Sequence, residues 1–283
     1  MLIRLGYDIS LEVTQPTTIV AVLNVHPSRV ADLREADEIQ LSPDLTRERY
    51  WDSFGNICTR MIAPQGNLRL RGSTLIEDSG EPDAIDWSAP QLAVGRLPTE
   101  TLQFLLASRY CEVDRLSALA WQLFGTMPMG WPRVQAICDW VHQYITFDYG
   151  SARPTKSALD VYAERQGVCR DFQHLAIAFC RAMHIPARYA TGYLGDIGVP
   201  LVPPMDFSAW FEAYLGDRWW TFDARNNQPR IGRVLMASGR DAADVAITTS
   251  FGISRLNSFA VITEEVETVS QHSTMRAELC SVS

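Results

Sequence analysis

Apolar and polar residues alternate from Ile3 to Val13, and a β-branched run follows at Thr18–Val25. A period of two is the mark of a strand with one buried face. The stretch 50–64 sets Phe54-Gly55-Asn56 between two apolar runs, which predicts a hairpin, and Asn67–Ile76 alternates again. The breaker-rich segment 77–90 then reads as a domain boundary or a long crossing loop.

After Pro98 the apolar spacing changes to three and four. Thr99-Glu100 starts a helix that Leu102–Leu106 continues, and Cys111–Phe124 carries the same spacing. Pro132 sits just inside the next helix, which runs through Val134, Ile137, Val141 and Ile145. A short helix over 157–162 ends before Gln166-Gly167, and Cys169 opens a long apolar helix that stops ahead of Ile185-Pro186. Strands follow at Ala187–Tyr193, Ala209–Leu215, Trp219–Phe222 and Asn257–Val266. The pattern predicts an α+β protein: an N-terminal β-rich, sandwich-like domain over 1–95, a core of helices on an antiparallel sheet over 96–270, and a frayed polar tail over 271–283.

Composition narrows the function. A net charge of −8 argues against nucleic acid or an anionic membrane as partner, since phosphate binding needs clustered Lys and Arg. No apolar run is long enough to span a bilayer, and the first residues alternate rather than forming a signal peptide's apolar centre, so the expected location is cytoplasmic. The six cysteines include no CxxC pair, and neither an HExxH motif nor a Gly-rich phosphate loop occurs, so no metal or cofactor is expected.

Three segments carry candidate chemistry. In Gly167-Val168-Cys169-Arg170-Asp171 a cysteine begins a helix after a glycine turn. Free amides and the helix dipole favour a thiolate there and suit an oxyanion, so a lowered thiol pKa is expected. Ser208, Trp210, Glu212 and Tyr214 share one face of the next strand, and Gly216-Asp217 turns it into Trp219-Trp220-Thr221-Phe222-Asp223. That hairpin brings Asp223 toward Ser208. An aspartate ending an aromatic strand needs a partner, since an unpaired buried carboxylate is costly.

Taken in order, these motifs, together with Ile185-Pro186-Ala187-Arg188-Tyr189, Gly192-Tyr193 and Phe54-Gly55-Asn56, resemble the bacterial transglutaminase-like superfamily. The resemblance implies a papain-type core behind a β-rich N-terminal domain. It also implies a cysteine nucleophile, a histidine base just before Ala-Trp and an aspartate orienting that histidine. Carried across, the positions are Cys169, Ser208 and Asp223. Ser208 departs from the pattern, because a hydroxyl neither accepts a proton near neutral pH as imidazole does nor protonates a leaving amine. Asn226 is a second departure, standing where a histidine is expected. No other histidine is an evident substitute: His174, five residues past Cys169, lies about 140° round the helix.

The expected substrate is a small-molecule or peptide acyl or amide compound. Trp210, Tyr193, Arg170, Asn226 and Arg230 are candidates for binding it, and the Arg-rich loop 229–233 is a candidate carboxylate site. Two functions stay open. One is a diverged enzyme performing acyl transfer or amide or ester processing through Cys169. The other is a catalytically silent module that binds a ligand or protein in the same cleft. An edge-strand N-terminal domain is compatible with a homo-oligomer.

Overall fold

The structure, a computed structural model, describes residues 1–202 and 205–266. In chain order the elements are β1 (Leu2–Val13), β2 (Thr17–Ala21), β3 (Gln40–Ser42), β4 (Arg47–Trp51), β5 (Ile57–Ala63), β6 (Gly66–Glu77), α1 (Val113–Phe124), α2 (Trp131–Tyr144) and β7 (Thr146–Phe147). They continue with α3 (Ala158–Glu164), β8 (Gln166–Gly167), α4 (Cys169–Ala182), β9 (Ala187–Leu194), β10 (Ser208–Leu215), β11 (Arg218–Phe222), β12 (Arg233–Gly239), β13 (Thr248–Ser250) and β14 (Ser254–Val266). The segment expected to be helical after Thr99 is a 3₁₀ turn over Thr99–Leu105.

Two antiparallel sheets, ordered β14-β1-β6-β3 and β13-β2-β5-β4, face each other across Ile3, Leu5, Ile9, Ile19, Met61 and Leu70. Alternation in β1 explains this, since its odd-numbered residues turn inward. Gly55, at φ +84°, makes the β4–β5 turn that Phe54-Gly55-Asn56 predicts. Asn56 is fully buried. Its side chain donates to Ser238 O at 2.9 Å and accepts from Ser238 N at 2.9 Å, so this turn is stitched to β12.

The third sheet, β11-β10-β9-β12, packs against α4, which is buried from Asp171 to Ala182. Buried on every side, its polar Gln173, His174 and Arg181 included, α4 forms the centre of the core, and α1, α2 and α3 enclose it.

The structure corrects the domain expectation at one end. β14 pairs with β1 along its whole length, Leu2 opposite Val266 and Val13 opposite Ser254, and β13 pairs with β2. The chain therefore returns to complete the N-terminal sandwich, and residues 248–266 belong there rather than to the core begun at 96. Strand pairing over such a sequence distance leaves no local signal. The expected tail and the sixth cysteine, Cys280, lie outside the described residues.

Candidate active site

Local structure fixes the start of α4 tightly. A Cβ on Gly167 would lie 2.7 Å from the Asp171 Cβ, so glycine is required for the chain to enter the helix this closely. Asp171 is buried and accepts from Val168 N at 3.0 Å, capping the helix. It also takes Arg170 Nε at 3.0 Å and Nη2 at 2.9 Å, while Arg170 Nη2 donates to Arg153 O at 2.8 Å. Arg170 is thereby spent on the helix start and does not line the cavity described below, contrary to its expected binding role.

One turn beyond Cys169, Gln173 is fully buried and ties three elements together. Its Nε2 donates to Asp223 Oδ1 at 3.0 Å and to Ala209 O at 3.2 Å, and its Oε1 accepts from Ala224 N at 3.1 Å.

The β10–β11 hairpin forms as expected. Gly216 takes φ +66° at its turn, and Phe211 stands opposite Phe222, so Asp223 falls just past the ladder. Asp223 is held by Gln173, by the amides of Arg225 and Asn226 at 3.0 Å each, by Asn226 Nδ2 at 2.7 Å and by Arg233 Nη2 at 2.9 Å. Burial alone would push its carboxyl up, but Arg233 and the Asn226 bonds outweigh burial and hold it below the usual carboxylate range. Arg233 in turn reaches Asp83 Oδ2 at 2.8 Å and lies 5.2 Å from the Trp210 ring. Arg233, in the loop read from sequence as a candidate carboxylate site, opens the buried strand β12, and the carboxylates it holds are the chain's own Asp83 and Asp223.

Ser208 begins β10 opposite Gly192, and Thr191 Oγ1 donates to its carbonyl at 3.0 Å. A Cβ on Gly192 would meet Val234 O at 2.1 Å, which makes glycine obligatory at this crossing. The Ser208 hydroxyl is not among the donors to Asp223. A cysteine–serine–aspartate relay is therefore not hydrogen-bonded through these side chains.

Cys169 and Ser208 do share a cavity of about 610 Å³, whose walls also include Asp206, Arg225, Asn226 and Arg230. Arg225 stacks over Phe147 at 4.3 Å and donates to Asn226 Oδ1 at 2.9 Å. Arg230 donates to Asn226 Oδ1 at 3.2 Å and to Asp196 Oδ1 at 3.2 Å. Trp210 and Tyr193 stand elsewhere. Trp210 is buried beneath Arg233, and Tyr193 packs edge-on to Phe207, 5.1 Å between centroids, in the N-terminal core. Of the five expected binding residues, Asn226 and Arg230 reach the cavity; Trp210, Tyr193 and Arg170 do not.

The expected activated thiolate is corrected in direction. Burial, and after it the charge of Asp206, pushes the Cys169 thiol up to about 11, against weaker opposing pulls from Arg225 and the Arg170 amide. No described histidine lines the cavity to reverse this. His174 is fully buried, stacked on Tyr110 at 5.0 Å, and accepts from Ala242 N at 3.2 Å; burial and then Arg170 hold it neutral. His142 Nδ1 is 2.9 Å from Arg225 O, His184 packs on Trp121, and His26 caps a 3₁₀ turn. His272 lies outside the described residues.

Sequence reasoning missed Gln173, Arg225 and Asp206. Gln173 had a signal, being polar at i+4 from Cys169 in an apolar helix. Asp206 had one as well, standing two residues before Ser208.

A helix-borne cysteine set against an antiparallel sheet, with an aspartate beyond the adjoining hairpin, defines a papain-type thiol fold. The model of the transglutaminase-like superfamily matches residues 118–224, a span that contains Cys169, Ser208 and Asp223. A crystal structure from Cytophaga hutchinsonii, named as a candidate cysteine protease, superimposes with a TM-score of 0.81 at 31% identity, covering 95% of this chain and 91% of that one. An uncharacterized protein of Mycobacterium leprae is 29% identical over 220 residues, 74% of this chain and 77% of the relative. An uncharacterized Mycobacterium tuberculosis protein matches at 29% over 69% of this chain and 68% of its own length. The chain belongs to the transglutaminase-like superfamily.

Proposed function

We propose that the protein is a diverged cysteine-dependent enzyme in which Cys169 attacks an acyl carbon of a small amide, ester or thioester, forming an acyl-thioester that water or an amine resolves. The observation that carries this reading is the opening of Cys169, on the first turn of α4, into the one cavity it shares with Ser208, Arg225 and Asn226. The α4 amides are suited to an oxyanion there, and Arg230 and Arg225 suit a substrate bearing a carboxylate. Asp223, saturated by its donors, holds the loop of Arg225 and Asn226 in place rather than orienting a base. No helix among the described residues is long and apolar enough to cross a membrane. A cytoplasmic working place, with the described cysteines unpaired, is part of the proposal.

A second reading has its own support. Ser208 in place of a base, beside a thiol raised to about 11, also suits a silent module that binds its ligand without turnover.

The deciding experiment treats the native protein, Cys169→Ala and Ser208→His with p-nitrophenyl acetate and with iodoacetamide across pH, and follows intact mass. An acetyl adduct that is lost in Cys169→Ala supports the enzyme. Absence of any Cys169 adduct in the native protein, with adducts restored by Ser208→His, sinks it in favour of the binder.

A further inference from the structure

Asp206 is the side chain of this cavity that nothing yet explains. It sits in the β9–β10 connection two residues ahead of Ser208, and both line the cavity with Cys169. The other cavity carboxylate, Asp196, is occupied: it pairs with Arg230 at 3.2 Å and accepts from Val202 N at 2.7 Å. Asp206 makes no ion pair with any described residue, whereas Asp223 is bound from five directions.

The charged and titratable groups around the thiol come from several elements. The charge of Asp206 raises the Cys169 thiol, as does that of Asp223, while Arg225 from the loop after β11 lowers it. The charge of Asp206 also bears on the Tyr149 hydroxyl, as does the Cys169 thiol itself, so the three groups share one local field. Burial lifts the Asp206 carboxyl above the usual carboxylate range, which makes it a better proton acceptor once ionised.

We propose that Asp206 is the proton acceptor for Cys169 and for the water that resolves the acyl-enzyme, filling the role that Ser208 cannot. The inference rests on Cys169 being the nucleophile. In acylation the Cys169 Sγ–C bond forms and the bond from carbon to the leaving group breaks. The thiol proton passes to an Asp206 carboxylate oxygen and from there to the leaving group. In deacylation water oxygen bonds to the acyl carbon as the S–C bond breaks; a water proton passes to Asp206 and on to Sγ, restoring the thiol. No oxidant, metal or second substrate is required. Burial first, and the charge of Asp206 after it, disfavour a resting thiolate, and the same carboxylate receives the thiol proton during attack.

The test separates charge from proton transfer in the full-length protein. Native protein, Asp206→Asn and Asp206→Glu are acetylated with p-nitrophenyl acetate, the excess ester is removed, and decay of the acetyl-Cys169 adduct is followed by intact mass. Alkylation by iodoacetamide is measured in parallel from pH 7 to 10, and circular dichroism confirms the fold of each variant. In Asp206→Asn, alkylation at a given pH should rise several-fold, because a repelling charge is gone, while adduct decay slows by about a hundredfold, the lower range for loss of a general base. Asp206→Glu should recover part of the decay rate. Faster alkylation with decay at the native rate would leave Asp206 as a mere electrostatic neighbour and overturn the inference while the nucleophile stands. Alkylation unchanged in Asp206→Asn would overturn it as well, since the charge would not reach the thiol. A native protein never acetylated at Cys169 would remove the nucleophile and this inference with it.

Discussion

Asp223 and Asp206 both lie near the open end of the β10–β11 hairpin, one just past β11 and one just ahead of β10, and their surroundings are opposite. Asp223 is buried behind β10 and receives Gln173, Asn226, Arg233 and two backbone amides. Asp206 faces the cavity with none of them and shares it with a thiol. A carboxylate saturated by donors is an anchor: it fixes geometry, and its affinity for a proton is low. One with no cation opposite it, buried beside a thiol, keeps its basicity. Under the proposed function, what a single aspartate–histidine pair would do is divided into a framework on one side and proton chemistry on the other.

The sharpest way to break this contrast is Asp223→Ala, which leaves Arg233 buried with only Asp83 opposite. Removing one partner of a buried pair costs about 3–5 kcal/mol, so the urea unfolding midpoint should fall steeply. A loss below about 1 kcal/mol would show that Asp223 is not the anchor. Gln173→Ala comes next. It strips hydrogen bonds from Asp223, Ala209 and Ala224 and should cost about 1–3 kcal/mol.

Acid titration separates the two carboxylates by sign. The folded-state pKa of Asp223 is depressed, so its stabilisation is full above the unfolded value of about 3.9 and is lost as pH falls through the lower folded value. The folded-state pKa of Asp206 is raised, so its ionised form opposes folding above that value, and the penalty vanishes as pH falls toward about 3.9. Asp206→Asn should thus melt slightly higher than the native chain at pH 7, with the difference closing near pH 4. Asp223→Asn should melt lower at pH 7. Melting curves at a series of pH values decide it, and a lowered midpoint for Asp206→Asn at pH 7 would contradict the contrast.

Much of the anchor was legible in the sequence, and much of the cavity was not. The start of α4 declared itself because a glycine turn stands two residues ahead of Cys169 and a long apolar helix follows it. The β10–β11 hairpin declared itself through Gly216-Asp217 and its aromatic alternation. Arg233 stood in the loop read as a candidate carboxylate site, but its partners were hidden, because Asp83 and Asp223 come from distant segments. Tyr193 and Trp210 were candidates for binding substrate, with the aromatic core the other reading for Trp210; strand parity turns Tyr193 to the N-terminal core and packs Trp210 beneath Arg233. The thiol's direction was misjudged for the same physical reason. A helix terminus is a local feature, whereas burial and the Asp206 charge arrive from a loop far along the chain. β14 shows the general case, since the partner that completes its sheet is at the opposite end of the chain.

The smallest expected effect is at Ser208, and it follows from what Ser208 does not touch. Its backbone is fixed by pairing with Gly192 and by Thr191 Oγ1, bonds that any L-residue at this position keeps. Its hydroxyl belongs to no hydrogen bond found among the described residues and faces a cavity with room for water. Ser208→Ala should therefore change the unfolding free energy by no more than about 0.5 kcal/mol, as at other sites free of packing or hydrogen-bond constraints. It should also leave the decay of an acetyl-Cys169 adduct near the native rate, because a hydroxyl that neither bridges to Asp223 nor accepts protons has no part in that step. A loss of decay in Ser208→Ala comparable to that in Asp206→Asn would move the proton chemistry back onto the position the superfamily assigns to histidine.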